Sequence, residues 1–281
     1  VNFYYFNTHV EDVEELHANH FYGGLFIYDV TKGESFTKIA RVIDSDKEFK
    51  YLVAARPYVM SPQFLCLLYN SLNEMSPGRI QINLVSGSGL TQQAIKQTRR
   101  EYIDGDKKDF SGIMGDVTDV SSNIDRSNYL IDFLDMLNGL DTKLPDFFVS
   151  TTNRYVFNAA SKHNNKMIIP YAMYKSKAFE LDNKKIMVSI RPKLRETEEE
   201  LEALPKPDGI WNKYLEQDDR KEYDYFTYKE FAEVIDKLKN ENIENILLTA
   251  GGIEQIYNPP IEERINIISF VKQYKEGIFK G

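Results

Sequence analysis

Short, continuous apolar runs recur along this chain, and segments with helical signals separate them. The strand-like runs are Phe3–Phe6 ending at His9, Gly24–Asp29, Tyr51–Arg56, Arg79–Val85, Phe147–Val149, Met167–Ala172, Ile186–Ile190 and Asn245–Thr249. Apolar runs of this length fit a parallel sheet covered on both faces, where neither face meets water and alternation is lost. Between them, Ser61-Pro62 places a capping hydroxyl before a proline at the first helical position. Phe64, Leu65, Leu67 and Leu68 then supply the stripe to be buried. Thr227 and Glu230 form a capping box ahead of Phe231, Val234, Ile235 and Leu238. Pro259-Pro260 opens a last helix with Ile261, Ile265, Ile268 and Val271 on one face. Leu130, Phe133, Leu134 and Leu137 mark another helix, and Tyr155, Val156, Ala159 and Ala160 a shorter one. Eight strands alternating with helices predict an α/β fold, a (β/α)8 TIM barrel; a doubly wound open sheet is the alternative.

Length agrees with that fold. The chain has 281 residues, and eight-fold barrels run to roughly 250, so one domain spanning residues 1–281 is expected. A hydrophobic content of 42% with 28% charged residues is globular rather than disordered. A net charge of −8 argues against sequence-independent binding of nucleic acid. Backbone amides can still hold a phosphate locally. Cys66 is the single cysteine, which excludes an intramolecular disulfide and a cysteine metal cluster. No apolar run approaches the ~20 residues of a membrane span, and no signal-like opening is present. A cytoplasmic protein is the expectation.

Two connections are long, 88–124 after the fourth strand and 195–225 after the seventh. Both leave strand C-termini, where barrel active sites are built, and loops of this length there act as lids or as solvated insertions. Gly87-Ser88-Gly89 starts like a dinucleotide turn, but Gln92 stands where the third glycine belongs, so a Rossmann site is rejected. Ser150-Thr151-Thr152-Asn153 ends a strand and opens a helix, a pattern suited either to an anion or to plain N-capping. His17 and His20 share a helix face with Glu14, more simply a solvated face than a metal site. His163 reads as a surface residue. His9, Arg56 and Arg191 stand at the ends of the first, third and seventh strands, where a barrel places groups that act on an anionic ligand; a structural salt bridge is the competing reading for each.

The run LVAARPYVMSP from Leu52 to Pro62, followed by SPGRIQINLVSGS from Ser76 to Ser88, resembles the bacterial luciferase-like flavin-dependent monooxygenases, with the FMNH2-dependent alkanesulfonate monooxygenases as the nearest branch. Phe6-Asn7-Thr8-His9 is similar to that branch's first strand. Asp125–Phe133, with Tyr129, looks like the segment whose tyrosine lies by the flavin phosphate, and Ser150-Thr151-Thr152 occupies the place of the phosphate turn. The likeness implies reduced FMN at the C-terminal face of a barrel, supplied by a separate NAD(P)H:flavin reductase, with O2 and a small organic molecule as the other reactants. It implies Asn83, Ser86 and Gly87 near the ring, Tyr129, Ser150, Thr151 and Thr152 at the phosphate, and His9, Arg56 and Arg191 in catalysis. A homo-oligomer is expected, and no metal.

Departures from the branch lie on the substrate side. Ser189 and Arg191 stand where the family has an arginine-x-histidine pair, its eighth-strand tyrosine is replaced near Gly251, and its sixth-strand tryptophan falls near Met173 or Tyr174. Flavin-holding features are kept better than sulfonate-handling ones. A flavin-binding protein of the same fold without turnover, and hydride transfer with a deazaflavin, are the alternatives.

Overall fold

The computed structural model describes residues 1–27, 35–44, 48–57, 60–85, 123–141, 144, 147–176, 182–204, 224–250 and 260–279. Eight strands form β1 (Asn2–Phe6), β2 (Gly23–Phe26), β3 (Lys50–Ala55), β4 (Ile80–Val85), β5 (Phe148–Ser150), β6 (Lys166–Pro170), β7 (Ile186–Ile190) and β10 (Asn245–Leu248). They close into a TIM barrel in the order β1-β10-β7-β6-β5-β4-β3-β2. A separate parallel ribbon pairs β8 (Pro192–Arg195) with β9 (Asp224–Thr227). The helices are α1 (Val13–Ala18), α2 (Ser35–Ala40), α3 (Pro62–Met75), α4 (Asn123–Asn138), α5 (Arg154–Lys162), α6 (Tyr171–Lys175), α7 (Glu198–Glu202), α8 (Tyr228–Asn240) and α9 (Ile261–Lys275). Packing divides the chain into Val1–Leu25 with Ile169–Gly281, and Phe26–Ile168.

In the first part, β1 pairs in parallel with β2 and β10, and β10 with β7. Phe3 packs edge-on against Tyr274 of α9 at 5.7 Å, and the Arg264 guanidinium of α9 lies over the Tyr5 ring. Phe3 and Tyr5 therefore face helices, and alternation turns Tyr4 toward the barrel axis. Register carries this across, Tyr4 to Leu247 and Leu247 to Ser189. Thr227 and Glu230 complete their capping box at the start of α8, as the sequence predicts. Phe231 and Phe270 fill the core between α8 and α9, ring centroids 4.8 Å apart.

In the second part, the Tyr51 hydroxyl donates to Val42 O at 2.9 Å and the Arg79 guanidinium covers its ring, so Tyr51 faces outward. Leu52, Ala54 and Arg56 then face the axis. At the level of Ala54 the parallel register aligns Asn83, Phe148 and Lys166. The Ser61 hydroxyl accepts from Phe64 N, confirming the cap read from sequence.

Several boundaries and faces differ from expectation. The sixth strand ends at Pro170, and Tyr171-Ala172 begin α6 instead. On α3 the buried stripe is Leu65, Cys66, Tyr69 and Leu72, while Phe64 and Leu67 are exposed. An almost unbroken apolar run allowed two stripes; the one that continues to Leu72 is buried, whereas the other continues to Ser71. On α9, Ile261 and Ile265 are exposed and Ile267, Phe270 and Val271 are buried, because the second stripe carries the aromatic bulk. On α5, Tyr155 is exposed and Val156, Phe157 and Ala160 are buried. The ribbon β8–β9 lies where a single long connection was expected. His163 is tied to Asp135 of α4, and that hydrogen bond first, then Lys162, holds the Asp135 carboxyl below its ordinary range. Of the two connections expected as lids, 88–124 lies outside the described residues up to 122, with Asn123 and Ile124 opening α4, and 195–225 lies outside them over 205–223. Among the described residues no helix is long and apolar enough to cross a membrane, and no group of three or more histidine, cysteine or acidic side chains is placed to hold a metal.

Candidate functional site

The expected site residues fall on both parts of the chain. In Val1–Leu25 with Ile169–Gly281, β1 stops at Phe6 because Asn7 adopts a left-handed backbone, φ 57°. His9 therefore lies beyond the strand, not at its end, and strand alternation does not set its direction. It caps a 3-10 turn, Val10–Asp12, where Asp12 Oδ2 accepts from His9 N at 2.8 Å. Asp12 Oδ1 in turn lies 2.6 Å from Arg264 Nη1. Among the described residues, this network neighbours His9. Close packing fixes the same corner: Thr8 is buried and its hydroxyl donates to Tyr5 O at 2.9 Å, directly over Gly24.

Arg191 directly follows β7 and directly precedes the ribbon. Thr249 N donates to Ile190 O at 3.0 Å, continuing the register that sets Leu247 beside Ser189. Thr249 thus continues the axis-facing side that carries Leu247 and Ser189. It is buried, and among the described residues its Oγ1 has no hydrogen-bond partner. The apolar run in the sequence ends at this residue.

In Phe26–Ile168, Arg56 continues the alternation of Leu52 and Ala54 and is buried at the end of β3. Asn83 is 1% exposed on β4. Ser150, the last residue of β5, donates its hydroxyl to Asn83 Oδ1 at 2.9 Å. Asn83 Nδ2 is buried with no partner among the described residues. A buried donor left unmade costs about 1–3 kcal/mol, so an unmet amide beside a strand end marks a place for an acceptor.

The turn after β5 is already organised by its own side chains. Thr151 is buried; its Oγ1 accepts from Asn153 N at 2.9 Å and donates to Asn153 O at 3.2 Å. Asn153 caps α5, its Oδ1 accepting from Tyr155 N at 2.8 Å and Val156 N at 3.5 Å. Its Nδ2 donates to Ser127 Oγ at 3.1 Å, which ties the cap to α4, the helix that carries Tyr129. Thr152 is exposed and Tyr129 half-buried. The N-capping alternative thus describes the turn as it stands, with Asn153 rather than a threonine as the cap. An asparagine just before a helical run was the available signal. Ser86 and Gly87 lie outside the described residues.

No protein-family model and no curated protein matches the chain by sequence. Solved structures do match it. EDTA monooxygenase (EmoA) from Chelativorans sp. BNC1 aligns with a TM-score of 0.59, covering 99% of this chain and 94% of its own at 11% identity. Long-chain alkane monooxygenase (LadA) aligns with 0.60, covering 99% and 92% at 11% identity. Coenzyme F420 dependent tetrahydromethanopterin reductase from Methanopyrus kandleri aligns with 0.58, covering 100% and 99% at 12% identity. At these identities the likeness is one of architecture: the chain has the luciferase-like TIM-barrel fold.

Proposed function

We propose that the chain is a two-component monooxygenase that takes FMN in its reduced form, FMNH2, from a separate NAD(P)H:flavin reductase and oxygenates a small organic substrate with O2. The observation that carries this reading is the unmet Asn83 amide, held by Ser150 at the C-terminal ends of β4 and β5, in a fold shared with two structures named as monooxygenases. The side chains present fit a flavin. Asn83 supplies a neutral donor for a ring carbonyl, and Arg56 a cation for an anionic ring.

Bound, the reduced flavin supplies the electrons that divide O2 between product and water. This chain's share is placement. Arg56 and Arg191 hold negative charge on ring or substrate, and His9 exchanges a proton through an imidazole nitrogen. Thr152 and Tyr129 face the phosphate end, joined by the Thr151 turn. Phe148 and Leu52 wall the axis-facing side against water. Nothing in the residues favours sulfonates over other small substrates.

Reductase-coupled turnover under 18O2 with a substrate panel tests the reading. One labelled oxygen per product is expected. His9→Ala and Arg191→Ala should each lower turnover by about a hundredfold with unchanged melting temperature. FMN bound tightly with no product from any substrate favours a flavin-binding protein without turnover. Oxygen-independent turnover with a deazaflavin favours hydride transfer, the chemistry suggested by the coenzyme F420 dependent neighbour.

A further inference from the structure

We propose, building on the flavin reading above, that Ser150 is a positioning residue rather than a phosphate ligand: it locks the Asn83 amide so that its N–H is presented to a carbonyl oxygen of the bound ring. The sequence places Ser150 in a phosphate turn. The structure gives its hydroxyl other employment. Parallel register sets Ser150 beside Val85 and Phe148 beside Asn83, so Ser150 stands one step further along the same axis-facing side. From there its hydroxyl reaches diagonally to β4 and donates to Asn83 Oδ1 at 2.9 Å. A serine hydroxyl has one proton. Given to Asn83, that proton is not available to a phosphate oxygen.

The bond is made to the oxygen end of the amide. With Oδ1 held by a donor, Nδ2 becomes the end that points away from Ser150. It is buried and unpartnered among the described residues. Its in-register neighbours are uncharged: Ala54 on one side contributes a methyl group and Phe148 on the other a ring, with the Lys166 ammonium 5.9 Å from the centroid of that ring. A methyl leaves space next to the amide, and a phenyl offers a flat wall. A flat heteroaromatic with an in-plane carbonyl meets all three features, and the pyrimidine edge of a flavin carries two such carbonyls. Without Ser150 the amide can turn over and present its oxygen, which repels a carbonyl.

Riboflavin separates ring recognition from phosphate recognition, since it has the ring and no phosphate. Oxidised FMN and riboflavin should each be titrated by fluorescence quenching against the wild-type chain, Ser150→Ala, Ser150→Thr and Asn83→Leu, with circular dichroism melts alongside. The expected result is a loss of about tenfold in affinity, one hydrogen bond's worth, for Ser150→Ala and Asn83→Leu. That loss should be equal for FMN and riboflavin, and Ser150→Thr should restore wild-type binding of both. A loss confined to FMN would make Ser150 a phosphate ligand and overturn the assignment. So would unchanged affinity in Ser150→Ala. If Ser150→Ala does not fold, unequal losses for the two ligands in Asn83→Leu, or failure of Ser150→Thr to bind as wild type, overturn it equally. Absence of binding of both ligands to the wild-type chain, in the oxidised and the anaerobically reduced form alike, would instead sink the flavin reading itself.

Discussion

Replacing Glu263 by alanine should loosen the ribbon that begins directly after Arg191. Glu263 lies on α9 at 3% exposure, and its Oε1 stands 3.0 Å from both Arg195 Nη2 and Lys193 Nζ. Both cations sit on β8, so one carboxylate fastens the ribbon to the helix. Arg195 is itself buried, and its remaining carboxylate would be Glu262, at 3.1 Å but largely exposed. Stranding a buried charge costs about 3–5 kcal/mol. Glu262 keeps part of the attraction, and Lys193 can turn toward water, so the lower end, about 3 kcal/mol, applies. For a chain of this size each kcal/mol moves the melting temperature by about 2–4 °C. The expected fall is therefore roughly 6–12 °C by differential scanning calorimetry. The double variant Glu263→Leu with Arg195→Met replaces the pair by apolar bulk and should recover most of the loss. KM for the substrate should rise in Glu263→Ala more than kcat falls, because the strand that follows Arg191 has lost its anchor. A fall below about 2 °C, or a double variant no more stable than the single, would refute the reasoning.

Three further outcomes follow from individual contacts. A Cβ on Gly24 would lie 2.1 Å from Thr8 Oγ1 and 2.7 Å from Thr8 Cβ, so Gly24→Ala should cost about 1–3 kcal/mol in urea denaturation, with rescue by Thr8→Gly but not by Thr8→Ala. Thr249→Val removes an unmet buried hydroxyl and should raise the denaturation midpoint by about 1 kcal/mol of stability while weakening substrate binding; a destabilised variant would mean that the hydroxyl is bonded. Asn153→Ala frees the amides of Tyr155 and Val156 and should cost about 1 kcal/mol; if the phosphate of FMN takes those amides, saturating FMN should close the gap to wild type in thermal melts, whereas riboflavin should not.

The strands were legible because burial on both faces leaves apolar runs that need no periodicity to be seen. Capping at Ser61 and Thr227 was legible for a related reason: the cap and its partner lie within one turn, so sequence spacing is geometry. Faces of helices were less so. The apolar stretch of α3 offered two stripes, and only the neighbours in space chose between them. Site residues divide in the same way. Arg56 and Arg191 are found at strand ends as the runs implied, but His9 is displaced from its strand by the left-handed turn at Asn7, which a Thr-His ending does not announce. The Ser150–Asn83 bond joins residues 67 positions apart and depends on the β4–β5 register. No local pattern encodes a register set by the closing of a barrel. Asn153 is legible, since an asparagine before a helix is a capping signal, although three neighbouring hydroxyls offer the same chemistry.

Affinity for the two redox forms of FMN tests the central claim most directly. Anaerobic titration of the wild-type chain with FMNH2, followed by the same titration with FMN, should show one flavin per chain. The reduced form should bind at least about tenfold more tightly, a difference of about 1.4 kcal/mol in favour of the anionic ring. No binding of FMNH2 to a folded chain, or a preference for the oxidised form, would contradict a monooxygenase supplied with reduced flavin.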